Sequence, residues 1–257
     1  MNGGFYRGKA MAVTMIQVRT PQEYADLASE AEREGADAVG AQLCRIPREL
    51  RTKENLAAMF SCTKIPVYVT NYAVDRNEGL AAEEIAADIL AAADAGGALL
   101  DIPGDLFCTE QYQLTKNARA VEEQRRLIDR IHEKGKEALM SSHILEFRSA
   151  EQLLAVAREQ ERRGADVLKF VTASNSEEEL AENLQATALL KKELKKPFVF
   201  LSCGKFCREH RLLAPYFGAG FWLCAARHGE LDTPEQPLPR ELKAFRAAYE
   251  PAIGRGV

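Results

Sequence analysis

The segment E-R-E-G-A-D-A-V at residues 32–39 returns as E-R-R-G-A-D-V-L at 161–168, and K-I-P-V-Y-V-T at 64–70 returns in the same order as K-K-P-F-V-F-L at 195–201. Two echoes with nearly equal separation mean that one half of the chain repeats the architecture of the other. In the first echo Gly stops a helical pattern and Asp opens an apolar run, which is how an αβ loop feeds a parallel sheet. Short apolar runs at 11–16, 37–43, 66–71, 98–102, 137–143, 166–171, 198–202 and 219–224 read as eight strands. Amphipathic stretches at 21–34, 81–95, 118–134, 149–163, 177–195 and 239–250 read as helices, with a shorter helix after 204. Eight such units in two matching halves predict an α/β fold of the (β/α)8 TIM-barrel type. No Pro/Gly/Ser-rich linker divides the halves, so a single domain over residues 1–257 is expected.

Composition narrows the function classes. The 257 residues carry a net charge of −4, and Lys and Arg are scattered rather than blocked, so there is no electrostatic footprint for nucleic acid or an anionic membrane. No apolar run is long enough to span a bilayer, and the start M-N-G-G-F-Y-R-G-K-A-M-A-V-T lacks a signal-peptide core. A cytoplasmic protein with a small-molecule partner is expected. The six Cys lack the dense spacing of a disulfide framework and read as reduced thiols. Cys203, Cys207 and His210 form C-x3-C-x2-H, but a fourth ligand is missing and no metal is expected. No GxGxxG, P-loop, HExxH or GxSxG pattern is present, which leaves nicotinamide, nucleotide-hydrolase, zinc-protease and serine-hydrolase readings without support.

A TIM barrel places its chemistry at the C-terminal ends of the strands. Lys169 is the most unusual residue there, because the alternation of A-D-V-L-K-F-V puts it on one face with Val167 and Val171. A lone ammonium among apolar walls is expected to relieve its desolvation by a depressed pKa, which frees the amine to attack a carbonyl. The competing reading is a snorkelling or ion-paired structural lysine. His143 ends the preceding strand at the same rim, and imidazole suits proton transfer beside an amine near neutral pH. His132, His210 and His228 fall in helix or loop patterns and read as structural. Asp101 and Asp105 in L-L-D-I-P-G-D are further rim carboxylates, or loop caps.

These residues resemble the type I 3-dehydroquinate dehydratase family, barrel enzymes that form an imine between a lysine and the substrate ketone. S-S-H at 141–143 resembles that family's histidine motif, although Ile144 stands where the family usually has Asp. G-A-D-V-L-K at 164–169 resembles its lysine strand, and H-R-L-L-A-P-Y-F-G at 210–218 its S-R-x-x-G-x-x-F-G segment. The resemblance implies that Arg211 binds a substrate carboxylate. D-T-P-E-Q at 232–236 is similar to the family's S-A-P-G-Q loop, with Gln236 retained to close over substrate and Asp232 in place of the serine. Glu78-Gly79 resembles the E-G-G after strand three, which implies that Glu78 orients His143. No cofactor is implied, and a homodimer is.

The departures cluster on strands two and three. The family's E-x-R-x-D aligns with Gly40, Gln42 and Cys44, and its strand-three Arg with Asn71, with Arg76 as a substitute from an inserted segment. By the internal echo Gly40 is the counterpart of Lys169, so an empty inward slot is expected there. The reading is an imine-forming dehydratase of a cyclic hydroxy-keto acid, 3-dehydroquinate first, with Lys169, His143 and Glu78 as catalytic residues. Substrate contacts are expected from Arg211, Gln236, Asp232, Gln42, Asn71, Arg76 and Asp101. A class I aldolase or related lyase acting on another keto acid, and a non-catalytic metabolite-binding barrel, are the alternatives.

Overall fold

In the computed structural model, which describes residues 5–254, the glycines and aspartates of the first echo explain the junctions they mark. Residues 1–4 and 255–257, the ends of the expected span, lie outside the described residues. Helix α1 (Pro21–Glu34) starts under Thr20, whose hydroxyl accepts from Glu23 N, and ends at Gly35 in the left-handed region at φ 95°. Asp37 then leads into β2 (Ala38–Gln42), and its carboxylate accepts the backbone N–H of Ala12 in β1 (Met11–Ile16) at 2.8 Å. The second copy does the same. Gly164 takes φ 105° after α5 (Ala150–Arg162), and Asp166, before β6 (Val167–Ala173), accepts from Ala138 N in β5 (Glu137–His143) at 3.0 Å. Each repeated Asp ties the start of its own strand to that of the strand before it.

The remaining elements are α2 (Lys53–Ser61), β3 (Val67–Thr70), α3 (Ala82–Asp94), β4 (Leu99–Pro103), α4 (Ala118–Glu133), α6 (Glu177–Glu193), β7 (Phe198–Cys203), α7 (Cys207–Phe217), β8 (Phe221–Ala225) and α8 (Pro239–Ala252). Sequence periodicity did not single out α2, which is short. The strands are all parallel and run in the order β7-β6-β5-β4-β3-β2-β1-β8. Between β7 and β8 the strands meet at their N-terminal ends, where Gly220 N donates to Phe198 O at 2.7 Å. The result is the expected (β/α)8 TIM barrel, nearly closed.

Apolar side chains occupy two layers. Outward-facing strand residues such as Val39, Val69, Leu100, Met140, Leu168 and Phe200 pack against the helices. Inward-facing Met11, Val13, Leu99, Leu139, Val167 and Phe221 plug the lower half of the barrel, with Phe5 edge-on to Phe221 at 5.6 Å between ring centroids. That plug is the floor on which the polar upper layer stands.

Candidate active site

The alternation of β6 does set Val167, Lys169 and Val171 inside the barrel, and the two valines belong to the inner apolar layer. Lys169 is 5% exposed at its side chain. Its Nζ donates to Asp101 Oδ2 at 3.1 Å, to the Tyr72 hydroxyl at 2.8 Å and to the Tyr68 hydroxyl at 3.1 Å. Both phenols donate in turn to the same Asp101 oxygen, at 2.6 Å from Tyr68 and 2.7 Å from Tyr72. The expectation of a lone ammonium is therefore corrected: an opposite charge and two hydroxyl oxygens offset its desolvation. Burial pushes the Asp101 carboxyl up, but the Lys169 charge, Ser141 and the two phenols outweigh it and hold its pKa below the ordinary carboxylate value. The phenols of Tyr68 and Tyr72 are raised well above theirs, first by burial and then by the adjacent carboxylate.

His143 stands one inward step above Ser141, which is the register partner of Lys169. Its ring meets that of Tyr72 edge-on at 5.2 Å between centroids. Burial, followed by the nearby Lys169 charge, lowers its pKa from 6.5 to about 3, against the opposing pull of Asp101. Its Nδ1 lies 2.6 Å from Gln113 Oε1. Glu78, expected as the orienting carboxylate, is instead exposed on the rim. The inserted segment is drawn elsewhere: Asp75 is gripped by Arg19 at 2.7 Å and Arg45 at 2.9 Å, and Asn77 donates to Asn71 Oδ1 and Tyr72 O.

Arg211 comes up from α7, nearly buried, with Nε donating to Ser202 O at 2.8 Å. Its Nη1 has no hydrogen-bond partner among the described residues. A cavity of about 260 Å³ opens over the floor, lined by Lys169, His143, Tyr72, Arg211, Gln236, Gln42 and neighbouring side chains. Gln236 is buried there, and its Oε1 has no hydrogen-bond partner among the described residues. Its loop is held by His228, whose Nε2 lies 2.9 Å from Gln236 O.

Of the residues singled out from sequence, the fold brings together Lys169, His143, Asp101, Arg211, Gln236 and Gln42. Four others it does not. Asn71 points away from the barrel interior, because in β3 the inward positions are Tyr68 and Thr70 and the next is Tyr72; its amide donates to Ile85 O. Arg76 is 52% exposed at its side chain and lies 3.8 Å from an Asp75 carboxylate oxygen. Asp232 staples its own loop, accepting from Gly229 N at 3.0 Å. Glu78 is the fourth. The slot above Gly40 is not empty either, since Met15 fills it: a Cβ on Gly40 would meet Met15 Cε at 2.7 Å. Asp105 acts as a loop cap, accepting from Glu110 N.

Sequence reasoning missed Tyr68, Tyr72, Gln113, Thr70 and Glu235, and singled out Cys203 only as a metal ligand, whereas it lines the cavity. The same alternation that exposed Lys169 would have found Tyr68 and Thr70, and one further step along the face finds Tyr72. Gln113 had no signal, because it comes from a loop. Among the described residues no group of three or more His, Cys, Asp or Glu side chains is arranged to hold a metal ion.

The family model for type I 3-dehydroquinase matches residues 12–250. Among solved structures, the chain is similar to 3-dehydroquinate dehydratase from Geobacillus kaustophilus at 20% identity and a TM-score of 0.75, over 95% of this chain and 94% of that one. It is similar to the type I enzyme from Clostridium difficile carrying covalently modified comenic acid at 16% identity and a TM-score of 0.79, over 96% and 95%. The enzyme from Enterococcus faecalis gives 19% and 0.71, over 95% of each chain. At such identities these likenesses speak to the fold. No curated protein matches the sequence.

Proposed function

The chain belongs to the type I 3-dehydroquinase family, and from that premise we propose that it dehydrates 3-dehydroquinate to 3-dehydroshikimate through an imine on Lys169. The observation that carries this reading is one cavity lined by a lysine amine, an imidazole and a buried guanidinium whose Nη1 has no partner among the described residues.

Lys169 must give up a proton before its nitrogen can attack the ketone carbon. Asp101 Oδ2 already accepts from Lys169 and both phenols, so the imidazole of His143, which lines the same cavity, is the base the geometry leaves open. The resulting carbinolamine loses water to become the imine. Removal of a proton from the adjacent carbon sends its electron pair into the imine, giving an enamine. Return of that pair expels the β-hydroxyl, protonated to water. Hydrolysis of the conjugated imine then consumes one water, frees Lys169 and releases the enone, so one water is lost overall. Arg211 Nη1 pairs with the substrate carboxylate. Gln236 and Gln42 hydrogen-bond its hydroxyls, and Asp101 with the two tyrosines holds the Lys169 nitrogen in place.

Strands two and three no longer carry the cationic clamp of the family pattern, and Tyr72 occupies the inward position beyond β3. The ring hydroxyls therefore meet neutral groups, which weakens binding more than it alters the imine chemistry. No helix among the described residues is long and apolar enough to cross a membrane. A cytoplasmic location and a homodimer complete the proposal; the dimer rests on the family resemblance, and sedimentation tests it.

The deciding experiment mixes the purified protein with 3-dehydroquinate, follows the ultraviolet absorbance of the enone, and repeats the incubation with borohydride before intact-mass and peptide analysis. Enone formation and a reduced adduct on Lys169 are expected. An adduct without turnover points to another keto acid as the substrate. No adduct with any keto acid would favour a non-catalytic metabolite-binding barrel.

A further inference from the structure

The loop between β4 and α4 reaches across the top of β5 and lays one side chain on the proposed base. Gln113 Oε1 accepts the backbone N–H of His143 at 2.9 Å and lies 2.6 Å from Nδ1 of the same residue. The backbone donor fixes which way the amide faces, because an NH2 group there would point N–H at N–H. An amide oxygen only accepts, so the close partner Nδ1 must carry the proton. The Nε2 nitrogen is then the one with the free lone pair.

The backbone is bent to make this contact. Tyr112 at φ 65° and Gln113 at φ 50° are consecutive non-glycine residues in the left-handed region, which persists only where the surroundings hold it. They do hold it here. Arg148 lies 3.7 Å over the Tyr112 ring, and the Ser142 hydroxyl donates to Gln113 O at 3.0 Å. Below, the buried Arg163 donates to Gly104 O and Thr115 O and clamps both feet of the loop. Gly104 is required for the approach, since a Cβ on it would lie 2.5 Å from Gln113 O.

We propose that Gln113 is a positioning residue for the reaction: it locks His143 in the Nδ1–H tautomer and leaves Nε2 as the ring nitrogen able to take a proton. The proposal rests on the dehydratase reading for its catalytic meaning, but its structural core does not need a substrate. A neutral amide, unlike a carboxylate, brings no opposite charge to an imidazolium and stabilises it less. The charged or titratable groups around the ring are Lys169 from β6, Asp101 from β4, Arg211 from α7 and the phenol of Tyr72 beyond β3. Burial first, then Lys169 and Arg211, lower the pKa of the ring against the opposing pull of Asp101.

The test is nitrogen-15 NMR of the histidine ring in the substrate-free full chain, across pH 5 to 9, with kinetics in parallel. In the wild type, His143 is expected to show a protonated Nδ1, an unprotonated Nε2 and no titration in that range. Gln113→Ala should release the tautomer and lower kcat roughly tenfold or more while KM changes little. Gln113→Glu should keep the tautomer, since a carboxylate accepts the same N–H groups, and bring the ring pKa upward; this variant decides the matter if the alanine variant does not fold. An Nε2–H tautomer in the wild type, or a ring unaffected by either substitution, overturns the proposal. A protein with the expected ring spectrum but no enone formation would instead fail the dehydratase reading.

Discussion

Asp101 Oδ2 collects three donors at once, from Lys169, Tyr68 and Tyr72, and the constellation works only as a unit. Removing one member of a buried ion pair strands the other charge, at a cost of roughly 3–5 kcal/mol. Lys169→Met and Asp101→Asn are each expected to lower the unfolding free energy by an amount of that order, read from denaturant curves, and the double variant to recover much of it. A double-mutant cycle in urea checks this, and additive losses would show that the pair is not coupled. Tyr72→Phe deletes one donor to a charged acceptor and should cost roughly 1.5–3 kcal/mol in the same assay. In the borohydride experiment Lys169→Met should give no adduct at any pH.

The βα loops decide the chemistry at the scale of elements, and the strands set only where they start. The loop from Gly104 to Thr115 is held at both feet by Arg163 and Gln124, the latter donating to Gly104 O at 2.7 Å, and delivers Gln113 at its far end. Gly104→Ala would drive a methyl against Gln113 O and Ser141 O. The loop has to lift, and a displacement of about 1 Å at the base should reduce kcat by roughly 10–100-fold with the circular dichroism of the barrel unchanged. Wild-type turnover in this variant would show that the loop does not position His143. The segment after β3 behaves differently: Asp75, bridged by Arg19 and Arg45, pins it over the rim of β1 and β2, which is why Glu78 and Arg76 stay outside the cavity.

Half-buried His143 and fully buried His210 contribute to the acid behaviour of the whole molecule. His143 and His210 are each lowered from 6.5 to about 3, in both cases first by burial. The unfolded chain binds protons at these positions below about pH 6.5 while the folded chain does not, so stability falls as pH drops from there towards 3. Asp101 and Asp166, whose folded carboxyls are held low, continue the loss through the carboxylate range. Asp105 and Asp232 are raised by burial and act in the opposite sense. Urea midpoints are expected to decline from pH 7 to pH 5, before any carboxylate with an ordinary pKa protonates. A midpoint constant over that interval would mean that neither imidazole is held neutral by the fold.

The chain's own order carried the barrel, because helix stop, strand start and apolar alternation are local properties, and their repetition in two halves left one closed parallel arrangement. Local alternation also placed Lys169 inside and His143 at the rim, and the same rule, applied to V-Y-V-T-N-Y at 67–72, turns Tyr68 and Tyr72 inward and Asn71 outward. The partners of those residues were not local. Asp101 meets Lys169 from two strands away, Met15 fills the space over Gly40, and Gln113 replaces Glu78 beside His143. Such contacts depend on barrel curvature, strand register and the backbone strain of loops, none of which is written in the spacing of residues along the chain. Tertiary structure therefore decided the partners and orientation of the cavity's side chains, while sequence had decided that Lys169 and His143 would stand on its inner face.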